Sequence, residues 1–340
     1  MRKIFVAASF LMTSAFATTA PNPLENAKPF PITPEVQKYI DSTAKQYHFN
    51  KSELVSYFEK AKYLPAVIDR MNGPFEAKPW NYYRHYFVTP ERVALGVEYW
   101  KKHEAALNKI AKRYNVAPQV IVAILGVETL YGTGIGKFPV WDTLSTLAFH
   151  YPSREVFFRK ELTQYLLLTR HENLPVLSLT GSYAGALGIP QFMPSSYRNY
   201  GVSLDKNKKI DLFRDHETAM TSIANYLSRS GFKASEPVAM PVELSASFSA
   251  RNIISSKATP FEKVSQLNQL GVRFKHDISP NEKGALIALD KTDSKEYWVA
   301  FHNFRAIMSY NPNINYAMAV YQLSEELKKA HEQSQTQHSA

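Results

Sequence analysis

From Val120 to Val127 every residue is apolar or glycine, and the next residue is Glu128. A carboxylate at the end of so apolar a stretch is costly unless its charge is neutralised, paired or put to use. An apolar surrounding raises a carboxyl pKa and keeps the group protonated near neutral pH. That is the state a general acid needs when it acts on a glycosidic oxygen. The competing reading is a glutamate that turns outward at a fraying helix end, and the stretch alone leaves both open.

The chain begins as a targeting segment. Met1-Arg2-Lys3 is a positive start, Ile4 to Ala17 is a short apolar run, and Ala15-Phe16-Ala17 is an A-x-A cleavage signal, so the cut is expected after Ala17. A membrane anchor is the rival, but the run falls short of the ~20 residues a spanning helix needs. No later segment is apolar enough to span. There are no cysteines, so a disulfide framework is excluded and so is a lipid-attachment cysteine. The expected location is periplasmic after cleavage, with a peripheral position at the outer membrane left open. The formal charge of +10 falls to +8 once Arg2 and Lys3 are gone. A basic exported protein is drawn to anionic polymers, among them cell-wall glycan with its peptide carboxylates, lipopolysaccharide and nucleic acid. Charge alone does not choose between them.

Helical periodicity runs from Pro34 to about Tyr63, with a break at Met71-Asn72-Gly73-Pro74. Thr89-Pro90-Glu91 reads as an N-cap with proline at the first helical position, opening a helix to about Tyr114. The Glu128 helix opens near Pro118, and Asp142 is read as the cap of a helix from Thr143 to Phe149. Further helices are expected over 155–171, from Pro194, and over 217–230 with Gly231 as the stop. After that the texture changes. Val238, Met240, Val242 and Leu244 alternate, as does the stretch from Gly284 to Val299, which are strand signals around one helix near 260–270. Helix resumes over 300–308 and from Asn315, read as an N-cap, to about Ala330.

Three segments stand out beside the Glu128 stretch. Gly181 to Pro194 (GSYAGALGIPQFMP) is a constrained loop able to aim Ser182 and Gln191 at a ligand, and it is no G-x-S-x-G nucleophile elbow. Tyr310 to Ala317 (YNPNINYA) is a polar-aromatic turn before a helix. Trp80 to Phe87 is an aromatic cluster whose rings can stack on sugars, although aromatics more often pack a core. Read by themselves, the two loops are better explained by structure than by function. The ten histidines are scattered and form no HExxH pair, which argues against a metal enzyme, and no nucleic-acid-binding motif is present.

Taken together, ILGVETLYG, GSYAGALGIPQFMPSSY, IANYLSRSGF and SYNPNINYAMAVYQL resemble the membrane-bound lytic murein transglycosylase B family and its soluble, non-lipidated members, from about Trp80 to Leu323. The resemblance implies an α+β, mostly α fold: a lysozyme-like helical core, an N-terminal helical domain and a small inserted antiparallel β domain. The expected organisation is a signal peptide at 1–17, an extended lead-in at 18–33 and a helical region at 34–78. A catalytic core at 79–233 and 298–330 encloses a β-rich insertion at 234–297, and a disordered tail follows at 331–340. By resemblance Glu128 is the sole catalytic acid and base. Ser182, Gln191, Phe192 and Met193 line the groove, together with Tyr83, Tyr226, Tyr310, Asn311 and Tyr316. The family can carry an EF-hand-like calcium loop, whose positions here are Ser203, Asp205, Asn207, Lys209 and Glu217. Lys208 stands where the sharp turn wants glycine, and Ser203 replaces the first aspartate. No metal, no cofactor and no structural calcium are expected.

The implied reaction is cleavage of the β-1,4 bond between N-acetylmuramic acid and N-acetylglucosamine with formation of a 1,6-anhydro ring. Most glycosidases use two carboxylates, whereas this family is implied to use one. A hydrolytic muramidase and a catalytically silent peptidoglycan-binding protein are the alternatives. The expected partners are peptidoglycan strands and possible wall-synthesis proteins, with no nucleic acid and no transmembrane segment in the mature chain.

Overall fold

The structure is a computed structural model that describes residues 22–73, 78–205, 207–259 and 261–338. The expected signal segment and its cut lie outside the described residues.

In chain order the elements are β1 (Lys28–Pro29), α1 (Pro34–Tyr47), α2 (Lys51–Lys60), β2 (Lys62–Tyr63), α3 (Pro65–Asn72), α4 (Trp80–Phe87), α5 (Pro90–Tyr114) and α6 (Pro118–Thr129). Then come β3 (Phe138–Pro139), α7 (Val140–His150), α8 (Glu155–Glu172), β4 (Thr180–Gly181), α9 (Pro194–Tyr200) and α10 (His216–Arg229). The last third holds β5 (Ala239–Leu244), β6 (Glu262–Lys263), α11 (Val264–Gln269), β7 (Val272–Phe274), β8 (Lys283–Asp290), β9 (Lys295–Ala300), α12 (His302–Tyr310) and α13 (Ile314–His338). The fold is therefore mostly helical with a small antiparallel sheet, as the sequence implied. Among the described residues no helix is long and apolar enough to cross a membrane.

The chain forms two compact units, one of residues 78–131 and 220–338, the other of residues 22–73 and 132–219 among those described. In the first unit α6 is buried along its whole length from Val120 to Thr129. A helix apolar on every side needs neighbours on every side, and α5 and α13 both pack against it. Helix α5 starts as its sequence dictates: Thr89 Oγ1 accepts the Arg92 amide at 3.2 Å and Pro90 opens the first turn. The inserted sheet has strand order β6-β8-β9-β5-β7, all antiparallel. On one face Val242, Leu286, Val299 and Phe301 form a core with Val264 and Leu267 of α11. Trp298 lies opposite Pro241 and Ile287 in the register.

The second unit packs α7 against α8, α9 against α8, and α1 and α2 against each other. Its aromatic centre includes Phe58 and Trp141, with ring centroids 4.9 Å apart. The lead-in contributes β1, paired to β2 through Lys28 opposite Tyr63.

Four sequence expectations need correction. Helix α3 is an element the sequence reading omits: its eight residues bury only Val67 and Met71, one i,i+4 pair, which is too short a pattern to stand out. Asp142 sits inside α7, not at its cap, and its Oδ1 accepts the Lys62 amide of β2 at 3.1 Å. The cap of α13 is Asn313, whose Oδ1 accepts the amides of Asn315 and Tyr316 at 2.7 and 3.2 Å; Asn315 instead donates to Lys78 O at 3.1 Å. Residues 331–338, expected as a disordered tail, continue α13. His331 is buried and stacks on Trp100 of α5 at 4.3 Å, and Gln335 donates to Glu104 at 3.1 Å. Polar composition hid the tertiary contacts that order this last stretch.

Candidate active site

Three carboxylates are buried among the described residues: Glu128, Glu161 and Glu172. Glu161 is bound to structure, since its two oxygens accept the Ser195 amide at 2.9 Å and the Ser195 hydroxyl at 2.7 Å. Burial pushes its carboxyl above the usual range, against the pull of those two bonds and of Arg154. Glu172 lies 2.8 Å from His171 Nδ1. Glu128 is 1% exposed, and Tyr316 donates its hydroxyl to Glu128 Oε1 at 2.6 Å across 188 residues of sequence. The outward-facing alternative for Glu128 is thereby excluded.

Around this pair the first unit assembles other tyrosines expected from the resemblance. Tyr310 lies parallel to Tyr316, with centroids 6.5 Å apart and planes 9° apart. Tyr226 meets Tyr310 edge-on at 5.0 Å and donates to Ser309 O. All three are buried. Burial, then the negative charge of Glu128, then Tyr226 hold the Tyr310 phenol well above its ordinary pKa. Asn311 follows in the chain and is 4% exposed. Tyr83 is fully buried in α4, its ring 5.5 Å from that of Phe87.

The turn after Glu128 is held by residues that sequence reasoning did not single out. Before Gly132 is reached, Leu130 and Tyr131 already occupy the left-handed region at φ 47° and 60°. Such conformations cost of order 1–3 kcal/mol each for ordinary side chains and persist only where surroundings impose them. Here the Tyr131 amide bonds Leu125 O at 3.0 Å, and the Tyr131 hydroxyl donates to Arg92 O at 2.8 Å. Arg92 in turn donates to Gly126 O. The Tyr131 ring fits because Gly96 and Gly126 carry no side chain: a Cβ would lie 2.3 Å and 2.7 Å from its hydroxyl, respectively. The signal was present as two glycines on neighbouring helices, but a glycine slot is invisible until the helices are paired.

In the second unit the GSYAGALGIPQFMP loop folds on itself. Leu187 and Phe192 exchange both backbone hydrogen bonds, at 2.8 and 3.1 Å, and Gly188 turns at φ 67° with its Cα facing Leu212 O too closely for any Cβ. Ser182 is 1% exposed, and its Oγ accepts the amides of Ala184 and Ala186 at 3.2 and 3.0 Å. With both acceptor sites of the hydroxyl engaged, the chemistry left to it is donation. Gln191 is 2% exposed and sits at φ 50°. Its Nε2 donates to Ile135 O at 3.1 Å and Gly188 O at 2.8 Å, which fixes the amide orientation, and its Oε1 is buried with no hydrogen-bond partner. An unsatisfied buried acceptor is costly and suits a ligand N–H or O–H. Phe192 and Met193 are buried beside it.

The calcium-like segment has other uses for its polar groups. Asp205 Oδ1 accepts the Asn207 amide at 2.9 Å, and Asp215 caps α10 by accepting the Glu217 amide at 3.1 Å. Lys208 Nζ lies 2.6 Å from Asp215 Oδ2, and Ser203 is buried. Lys206 lies outside the described residues. Of the five loop positions two carry a carboxylate, Asp205 and Glu217, and one carries an ammonium, Lys209, whereas a hard divalent cation wants six to eight oxygens. Among the described residues no three His, Cys, Asp or Glu side chains gather as a metal site.

Known proteins resemble this chain over most of its length. The family model described as "Transglycosylase SLT domain" matches residues 32–325. Membrane-bound lytic murein transglycosylase B of Escherichia coli (strain K12) is 35% identical over 314 residues, covering 89% of this chain and 85% of that protein. The solved structure of the soluble lytic transglycosylase SltB1 from Pseudomonas aeruginosa superposes with a TM-score of 0.81 at 37% identity, covering 88% of this chain and 100% of that one. The Escherichia coli lytic transglycosylase Slt35, solved in complex with calcium, also gives 0.81, at 35% identity and with 89% and 95% covered. The chain therefore belongs to the transglycosylase SLT domain family, in its membrane-bound lytic murein transglycosylase B branch, and is a lytic transglycosylase.

Proposed function

We propose that this enzyme cleaves peptidoglycan glycan between N-acetylmuramic acid and N-acetylglucosamine, with Glu128 as its single general acid and base. The observation that carries the assignment is the buried Glu128 carboxyl with the Tyr316 hydroxyl on Oε1 at 2.6 Å. In the acid form Oε1 accepts from Tyr316 as a carbonyl-type oxygen, so the transferable proton sits on Oε2. That proton goes to the glycosidic oxygen as the bond from C1 of the muramic unit breaks. The positive character that develops at C1 is spread over the ring oxygen. The Glu128 carboxylate so formed then removes the proton from the 6-hydroxyl of the same sugar, and O6 bonds to C1. One bond breaks, one forms, the proton returns to Glu128, and no water is consumed.

An internal nucleophile held within the same ring needs no captured water, which is the advantage of proximity. It also removes the need for a second carboxylate to activate water. Tyr316 stabilises the anion midway through the cycle, because a hydrogen bond to the charged form favours that form. Within this reading Ser182 donates to the substrate, Gln191 Oε1 accepts from an acetamido N–H or a hydroxyl, and Phe192 and Met193 offer apolar contact. By the resemblance, Tyr83, Tyr226, Tyr310 and Asn311 are the substrate-binding residues of the unit that holds Glu128. The N-terminal segment 1–17 directs export, the mature enzyme works in the periplasm, and the positive charge of the chain favours the anionic wall. Wall-synthesis proteins are the partners this location offers.

Digesting sacculi in water enriched in the heavy oxygen isotope tests the reaction. Ring closure gives muramic ends one water lighter than hydrolysed ends and free of the label. Labelled reducing ends would instead assign a hydrolytic muramidase.

A further inference from the structure

A second cleft, of about 730 Å³, opens in the first unit between α4, β9 and α13. It is a different place from the surroundings of Glu128. On α13, Tyr316 shares the buried face with Leu323 and Leu327, whereas Tyr321, Gln322 and Glu325 line the cleft. At roughly 100° per residue, the cleft residues lie about half a turn from Tyr316. On α4 the separation is smaller: Arg84 lies about 100° from the buried Tyr83 and Trp80, itself mostly buried, about 60°.

The walls are tied together before anything binds. Trp80 Nε1 donates to Glu296 Oε1 of β9 at 2.8 Å, and Arg84 Nε donates to Gln322 Oε1 of α13 at 3.1 Å. Trp298 and Tyr321 meet edge-on, with centroids 6.1 Å apart and planes 82° apart, and both are half-buried. Past Trp298 a second hollow of about 440 Å³ continues along β5 and β9 and shares Lys291, Glu296 and Trp298 with the first. The result is an open trough with aromatic rings on its floor and amide, guanidinium and carboxylate groups on its banks. A pyranose presents an apolar face of C–H bonds to such rings and a rim of hydroxyls to such planar polar groups. The volume is in the range of small-ligand sites, but the cleft is open to solvent and shares a wall with the second hollow, which suits a stretch of linear polymer. Both signs of charge are present in the lining, Arg84 and Lys291 with Glu296 and Glu325, so neither a polyanion nor an apolar helix is the matching occupant.

We propose that this trough is a second glycan-binding site, which holds a stretch of murein N-acetylated sugar chain away from the one being cleaved at Glu128. The inference rests on the murein-cleaving function argued above. It makes the enzyme bivalent toward its insoluble substrate, so that retention on the wall exceeds what the catalytic site alone provides.

The test compares Trp298→Ala and Tyr321→Ala in two assays. Co-sedimentation with sacculi stripped of their stem peptides by an amidase is measured with each change placed on the Glu128→Gln chain, so that nothing is digested. Turnover of a short soluble murein fragment is measured with each change alone. The expected result is retention about tenfold weaker, the loss of one aromatic anchor, with soluble turnover within about twofold of the parent. Tyr321→Ala decides the matter if removal of Trp298 from β9 unfolds the sheet, because Tyr321 lies on the outer face of a helix. Parent-like retention overturns the inference, as does a parallel loss in both assays. A defect that appears only when stem peptides are present overturns it too, in favour of a peptide site. Failure of the parent enzyme to produce anhydro ends would remove the functional reading instead, and is seen separately by product mass.

Discussion

Replacing Tyr316 by phenylalanine removes one atom from the catalytic pair and keeps the ring that lies parallel to Tyr310. The hydrogen bond lost is 2.6 Å long, buried, and made to a carboxylate oxygen. Bonds to charged groups contribute about 1.5–3 kcal/mol. In this case the full amount is realised only when Glu128 is the anion, that is, after it has given up its proton. The anion is therefore raised relative to the acid, and the ceiling on the rate loss is roughly ten- to hundredfold. Proton transfer is incomplete in the transition state, so the expected loss in kcat is near the lower end, about tenfold. The pH profile moves as well. With its anion less favoured, the acid stays protonated to higher pH, and the alkaline limb of the rate profile shifts upward. The assay is anhydro-product release from a soluble murein fragment across a pH series, with kcat and KM resolved at each point. A Tyr316→Phe enzyme with parent kcat and an unmoved alkaline limb would refute the role given to this bond. A change in KM alone would make Tyr316 a binding residue with no part in proton transfer.

Gly126→Ala places a Cβ 2.7 Å from the Tyr131 hydroxyl; overpacking of this kind costs about 1–3 kcal/mol, and thermal unfolding should show it alongside reduced turnover, because the turn after Glu128 must shift. Ser182→Ala removes the acceptor of two loop amides, so denaturant unfolding should report a loss of about 1–3 kcal/mol and KM should rise; unchanged stability would contradict the loop geometry. Asp142→Asn keeps an acceptor for the Lys62 amide while abolishing a carboxyl whose pKa burial has raised. A raised carboxyl binds its proton more tightly when folded, so parent stability falls as pH rises through the folded pKa. The Asp142→Asn chain lacks that slope: its melting temperature should match the parent at about pH 3, where the carboxyl is protonated in both states, and exceed it at neutral pH. Its glycan cleavage should persist, and loss of cleavage in a folded Asp142→Asn chain would mean that Glu128 does not act alone.

Much of this was legible in the residues, for identifiable reasons. Thr89-Pro90 announced α5 because cap and proline act locally. The apolar run before Glu128 announced the burial of α6 but left the direction of the Glu128 side chain open. Alternation marked β5 and β9, and the change of texture after Gly231 placed the inserted sheet. Local signals misled where tertiary contacts took over. Asp142 looked like a cap and serves an amide on another strand. The polar residues after Glu332 looked unstructured, but the apolar side of the same helix, at His331, lies against Trp100. For the site, resemblance supplied Tyr316 and Gln191 as groove residues but not what they do. The Tyr316–Glu128 bond joins residues 188 apart, and the idle Gln191 Oε1 follows only once Ile135 and Gly188 have claimed its nitrogen. Neither relation has a local sequence signature.

The central claim is tested most directly by Glu128→Gln. The side chain keeps its size, and its amide oxygen can still accept from Tyr316, so the fold is retained while the transferable proton is lost. Sacculi incubated with a folded Glu128→Gln chain should yield no 1,6-anhydro muramic ends by mass spectrometry under conditions where the parent releases them. Anhydro ends released by that chain at a substantial fraction of the parent rate would contradict the account, because the proton would then have to come from another group.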